Sequence, residues 1–289
     1  MNRKQFLKTS LITGAAGFFL PLLGEAQKNS STYDKLMDQV GFNHLPNKDV
    51  ITNNTVLHRA STRGHADHGW LNTHHTFSFA NYRNPQRMNF GVLRVLNDDI
   101  IAGGRGFGMH PHDNMEIISI PIEGALEHKD SMGNTAVIKE GEVQVMSAGT
   151  GIYHSEYNKL TEREAKFLQI WLFPNKRGVT PRYDQVKLEN IQIKNRFNQI
   201  LSPFEDDQGV WIHQNAWFHL GEFDRSVRQN YELKLADNGV YAFIIEGKAN
   251  MAGQDLGERD GFGIWNVKNF EIEASPGSRI LLMEVPMRL

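Results

Sequence analysis

The chain has 289 residues, 40% hydrophobic and 22% charged, with a formal net charge of −2. That composition is globular, and the charge balance excludes a protein that binds nucleic acid or a membrane surface mainly through a basic face. There is no cysteine, which excludes disulfides, thiolate nucleophiles, zinc ribbons, cysteine-ligated iron–sulfur clusters and a lipidated cysteine. Any metal must be held by His, Asp or Glu, and the chain has 12 His.

Residues 1–26 follow the grammar of a signal peptide. Arg3, Lys4 and Lys8 precede an apolar run from Leu11 to Leu23, and Gly24-Glu25-Ala26 places small residues at a cleavage site. The run is shorter than the roughly 20 residues that cross a bilayer, and Gly14, Gly17 and Pro21 weaken it as a permanent anchor. The stretch RKQFLK resembles the twin-arginine export signal, with Lys4 in place of the second arginine; a Sec signal reads similarly. The expectation is an exported, periplasmic protein with no stable membrane anchor after cleavage. Residues 27–50 are polar and read as a flexible tether.

From Thr55 the texture changes to short β-type runs broken by turns, among them FSFANY, NFGVLRVLNDD, EIISIPIEG and KFLQIWLF. No long helical periodicity follows residue 50. Residues 175–210 are polar and irregular, and 211–289 return to strands. The two halves echo each other: Ile118 to Gly124 (ISIPIEG) matches Tyr241 to Gly247 (YAFIIEG), each followed by a strand, a glycine-containing turn and another strand. The economical reading is an all-β fold with two β-barrels of one type in tandem, at 51–175 and 211–289 with a crossing at 176–210; one extended β-sandwich is the alternative that the repeat disfavours.

The chemistry is concentrated in two phrases. Gly104 to Glu116 reads GRGFGMHPHDNME, and Gly149 to Glu156 reads GTGIYHSE. Residues i and i+2 of a strand share a face, so His110 and His112 project together, as do His154 and Glu156. If the two strands lie side by side, three imidazoles and one carboxylate converge, a set that suits Fe(II), Mn(II), Ni(II), Cu(II) or Zn(II). Other histidines read as structural. His74 and His75 point to opposite faces, His65 and His68 are solvated, and His128 falls in a hairpin region. Phe107 and Met109 read as packing at the mouth of the barrel, and Tyr153 points away from the site.

The first phrase resembles the first cupin motif, with Gly104, His110, His112 and Glu116 in place, and Gly141 to His154 resembles the second, loosely spaced. HPHDNMEI, EGALEHKDSMGN, MSAGTGIYHSE and FLQIWLFP are similar to the pirin family and its bacterial members that resemble quercetin dioxygenase. The resemblance spans about residue 55 to the C-terminus. It implies a bicupin, two tandem jelly-roll-like cupin barrels, with one divalent metal, iron first, in the N-terminal barrel, held by His110, His112, His154 and Glu156. Glu116 would support the ligands without binding the ion. It also implies a dioxygenase in which Glu156 is the general base, with a small aromatic substrate such as a flavonol and dioxygen as partners, and carbon monoxide as a product. The alternative it leaves is a non-enzymatic metal-binding protein that acts on a regulatory partner. His213 and His219 are isolated, so the C-terminal barrel is expected to be metal-free.

Overall fold

The computed structural model describes residues 54–288, Gln192 excepted, so the signal peptide and tether expected at 1–50 lie outside the described residues. The described residues form 22 strands, numbered here in chain order, with two single-turn 3-10 segments and no α-helix. No helix among them is long and apolar enough to cross a membrane.

The repeat in the sequence is a repeat of topology. In the first half, β9 (Glu142–Ser147), β6 (Glu116–Glu123), β11 (Ala165–Leu172) and β4 (Leu93–Ile101) lie side by side in that order. Facing them is a sheet ordered β5 (Gly106–His112), β10 (Ile152–Asn158), β7 (Ala125–Asp130) and β8 (Thr135–Lys139). The second half repeats both orders. One sheet runs β20 (Gly261–Trp265), β17 (Asn238–Glu246), β22 (Ser278–Pro286), β15 (Trp217–Phe223). The other runs β16 (Val227–Glu232), β21 (Asn269–Ala274), β18 (Ala249–Met251), β19 (Gln254–Leu256). Each half is a jelly-roll pair of sheets rather than a closed ring. The two Glu-Gly turns that revealed the repeat both need glycine: Gly124 has φ +85 and Gly247 φ +75.

The expected boundaries need correction. β1 (Thr55–His58) precedes the first half in sequence but pairs with β20 of the second half, covering what would be an exposed sheet edge. The supposed crossing at 176–210 contains β12 (Arg182–Lys187), which extends the first half's sheet beyond β9, and β13 (Phe197–Ser202), which extends the second's beyond β15. The remaining strands complete the edges: β2 (Gly64–Asp67) and β3 (Leu71–His75) beside β4, and β14 (Val210–Trp211) beside β13.

Strand alternation divides the core. Leu96, Ile118, Ile120, Leu168 and Ile170 from the first half join Phe218, Leu220, Tyr241, Phe243, Leu281 and Met283 from the second in one apolar cluster. The largest core thus lies between the halves. The opposite face of the second sheet (Val240, Ala242, Ile244, Ile280, Leu282) packs into the apolar interior of the second half. The opposite face of the first sheet is different: Asn97, Ser119, Gln144 and Gln169 are buried there and polar.

A Cβ on Gly247 would lie 2.8 Å from Ser278 Cα, on top of the unfavourable φ. Gly247→Ala is therefore expected to cost about 1–3 kcal/mol. For a chain of this size that lowers the thermal midpoint by roughly 2–4 °C per kcal/mol, readable by calorimetry. An unchanged midpoint would remove the conformational account of the Glu-Gly turns.

Candidate metal centre

β5 and β10 pair antiparallel, with His154 opposite His110. The register slips between His154 and Glu156, which lies opposite Phe107. Met109 and Gly108 of β5 therefore face Ser155 of β10 alone, a bulge beside the site that turns Phe107 to the same face as the histidines. Phe107 packs edge-on against Trp70 with ring centroids 5.3 Å apart. Met109 and Tyr153 point outward, 58% and 55% exposed.

The structure brings His110, His112 and His154 together. Their ring centroids are 4.4 to 4.9 Å apart, and one nitrogen from each lies within 4.8 Å of the others. Glu156 adjoins this group through His154; with His154 and His128 it forms a second set of the same spacing. Both oxygens of Glu156 are held by neutral donors. Ser119 Oγ donates to Oε1 at 3.0 Å and Gln169 Nε2 to Oε2 at 2.8 Å.

The three imidazoles fit a metal. Burial and the neighbouring His110 push His112 down to about 3, and burial and neighbouring imidazoles hold His154 well below the usual histidine range, so both are neutral with a free lone pair. His112 Nδ1 and His154 Nε2 are buried with no hydrogen-bond partner. Two orphaned ring nitrogens in one interior are costly unless a ligand satisfies them. His110 Nδ1 donates to the Gly108 carbonyl at 2.7 Å, which leaves its Nε2 lone pair free. The donor set suits the later first-row divalent ions.

His128 lies in the β7–β8 hairpin, as expected, but its side chain is fully buried against the site: its Nδ1 lies 3.5 Å from His154 Nδ1. The i, i+2 rule that singled out HPH and HSE also applies to His128-Lys-Asp130, and would have found it. Ser119 and Gln169 carry no local signal; only the sheet register aims them at Glu156. Glu116 supports no ligand here: Ser147 Oγ donates to it at 2.7 Å, and it accepts the His213 backbone amide of the second half. His75 is buried and bonded to Asn97 at 2.9 Å, and His65 stacks on His74.

Strand register gives seven of the site residues a counterpart in the second half; His112, at the end of β5, has none within the paired strands. Counting from the two Glu-Gly turns and across the paired strands, His128 corresponds to Met251, Glu156 to Ile272, His154 to Phe270 and His110 to Tyr231. Ser119, Gln169 and Gln144 correspond to Ala242, Leu282 and Phe262. All seven counterparts belong to the apolar interior of the second half. Among the described residues, both clusters of potential ligands lie in the first half.

Fold and site together define a two-domain cupin with a histidine-rich centre in its first domain. The chain belongs to the pirin family. Residues 53–172 match the family profile described as Pirin, and residues 199–285 that of the quercetinase C-terminal cupin domain. It is 41% identical to quercetin 2,3-dioxygenase of Escherichia coli K12, over 80% of this chain and 98% of the relative. It is 37% identical to the pirin-like protein of Caulobacter vibrioides, over 76% and 95%. The crystal structure of the bacterial pirin YhhW from E. coli in complex with nickel(II) superposes with a TM-score of 0.76 at 39% identity, covering 80% of this chain and 99% of that one.

Burial pushes the Glu116 carboxyl up to about 8 and Asp99 up to about 7. A carboxyl raised in this way favours the fold at low pH, and that contribution is lost as pH rises from its ordinary value toward the folded one. Buried neutral histidines act oppositely. His219, pushed down to about 4 by burial, favours the fold above the ordinary histidine value and loses that contribution as pH falls. Stability is therefore expected to fall between about pH 6.5 and 8.5, and Glu116→Gln to reduce that fall. Thermal midpoints of both proteins at the two pH values check this; an equal or steeper fall in the variant refutes it.

Proposed function

We propose that the chain is a metal-dependent dioxygenase of small, electron-rich aromatic substrates, with a flavonol such as quercetin as the representative. The observation that carries the reading is the convergence of three imidazoles, two with orphaned buried nitrogens, beside a carboxylate held only by neutral donors. The names of the E. coli relatives support it. The ligands in this reading are His110, His112, His154 and Glu156. A divalent ion bound there would supply Lewis acidity and an open coordination position. Iron is the first candidate, and the nickel in the E. coli relative makes Ni(II) the second.

The chain's own residues do the rest. Glu156 accepts the proton of the substrate hydroxyl on a carboxylate oxygen, leaving an electron-rich oxyanion for dioxygen to attack. Ser119 and Gln169 fix the carboxylate while leaving lone pairs free for that proton. His110, the least buried of the three imidazoles, marks the mouth through which substrate enters. Phe107 and Trp70 offer aromatic faces on the same side. One flavonol and one dioxygen then yield carbon monoxide and the ring-opened ester, whose new carboxylate takes back the proton held by Glu156.

The test is metal analysis with oxygen uptake and carbon monoxide detection on quercetin. His110→Ala and His154→Ala should each hold less than about 0.1 equivalents of metal and lose activity while staying folded. His219→Ala should keep both. A full equivalent of metal in either first variant rejects the ligand set, and metal-replete protein without oxygen uptake rejects the activity. Periplasmic location, by the twin-arginine route, belongs to the same proposal and rests on residues 1–26 alone. Arg3→Lys should hold the protein in the cytoplasm, and its appearance beyond the inner membrane would assign the Sec route.

A further inference from the structure

Asp130 is saturated by donors. Its Oδ1 accepts the backbone amides of Met132 and Asn134 at 2.9 and 3.0 Å, and its Oδ2 accepts Asn134 Nδ2 at 2.8 Å and His128 Nε2 at 3.1 Å. The turn Ser131 to Asn134 thus fixes the carboxylate, and an acceptor-only partner makes His128 Nε2 the protonated nitrogen. A neutral His128 then has its lone pair on Nδ1. The atom facing that lone pair is His154 Nδ1, at 3.5 Å. A hydrogen bond across that contact puts the His154 proton on Nδ1 and its lone pair on Nε2, the buried nitrogen with no partner. Two further contacts hold the arrangement. Tyr183 of β12 lies over the His128 ring at 4.6 Å, and the β-ladder sets Asp130 opposite His154 and His128 opposite Glu156.

We infer that Asp130 and His128 form a relay that fixes the tautomer of His154, so that its Nε2 lone pair is presented to the metal before any ion arrives. His128 is a positioning residue, not a ligand. Metal-bound histidines commonly donate their second nitrogen to a carboxylate or carbonyl; here one more imidazole stands between ligand and carboxylate. The register comparison agrees: the counterpart of His128 is Met251, which has no strong acceptor, and the counterpart of His154 there is Phe270, which needs none. The inference rests on the metal-centre reading, but its first test needs no metal.

In the metal-free protein, 15N-edited NMR of the imidazoles should show His154 as the Nδ1–H tautomer. Observation of the Nε2–H tautomer overturns the relay whatever the protein later binds. In Asp130→Asn and His128→Met, both judged folded by circular dichroism, that tautomer should no longer dominate. Calorimetric Ni(II) affinity should fall about 10–100-fold. His128→Asn places an amide oxygen near the Nδ1 position and should hold affinity within about threefold of the wild type, a rescue that a lost ligand could not give. Unchanged affinity in His128→Met overturns the proposal. So does equal loss in His128→Met and His128→Asn, which would make His128 a ligand of the set it forms with His154 and Glu156. Should wild-type protein show the expected tautomer yet bind no Ni(II), the metal-centre reading fails and the tautomer assignment stands.

Discussion

The whole architecture rests on where the apolar surface goes. Every strand of the two large sheets has two faces, and in each half one face turns toward the other half. Leu96, Ile118, Ile120, Leu168 and Ile170 meet Phe218, Leu220, Phe243, Leu281 and Met283 across that seam. Burial there supplies the hydrophobic driving force that a small domain must otherwise draw from its own interior. The first half is thereby released from filling its whole interior with hydrocarbon: Leu71, Ile101, Leu126, Ile138 and Phe167 form a smaller apolar cluster there beside the polar layer. A buried layer of His, Asn, Ser, Gln and Glu side chains is tolerable only because the reverse side of the same strands is so well packed.

The polar layer is not a loose collection. Asn97, Gln169, Ser119 and Gln144 follow one another across β4, β11, β6 and β9 in register. The middle two reach Glu156 on the facing sheet. The relation to the second half shows how completely such a layer can be exchanged. Leu282, Ala242 and Phe262 stand on the same rungs as Gln169, Ser119 and Gln144, and the facing positions hold Met251, Phe270 and Ile272 instead of His128, His154 and Glu156. The fold survives either filling. Chemistry in this chain is a property of the filling and not of the backbone.

Much of this was legible in the sequence, for identifiable reasons. HPH and HSE announce themselves because a strand repeats every two residues, and the Glu-Gly turns do so because only glycine takes the backbone angle there without cost. The convergence of His110, His112 and His154 followed from those patterns once two strands were placed side by side. What escaped was non-local. Nothing in TVLH at 55–58 says that its partner is Gly261 to Ile264, and nothing in 176–210 marks one strand for the first sheet and another for the second. A hairpin reading of EHKD leaves open which way His128 points; the structure makes Glu127 and Lys129 the outward half of a strand whose inward half is Leu126, His128 and Asp130. Ser119 and Gln169 sit in apolar runs where a single polar residue looks incidental until the register aims it.

The position of β22 has a consequence in time. It is the last of the described strands, yet it lies in the middle of its sheet, between β17 and β15. Pro286, at its end, accepts the backbone amide of Val92, and Asp260 accepts that of Ala60 across 200 residues. Domains of many proteins fold in order as they leave the ribosome. Here the keystone is the last described strand. Until Ser278–Pro286 emerges, the second sheet is two unjoined ribbons, and the apolar back of the first has no complete surface to lie against. The histidine-lined interior therefore waits on Ser278–Pro286, and the docking of those nine residues is the step on which the chain commits to its fold.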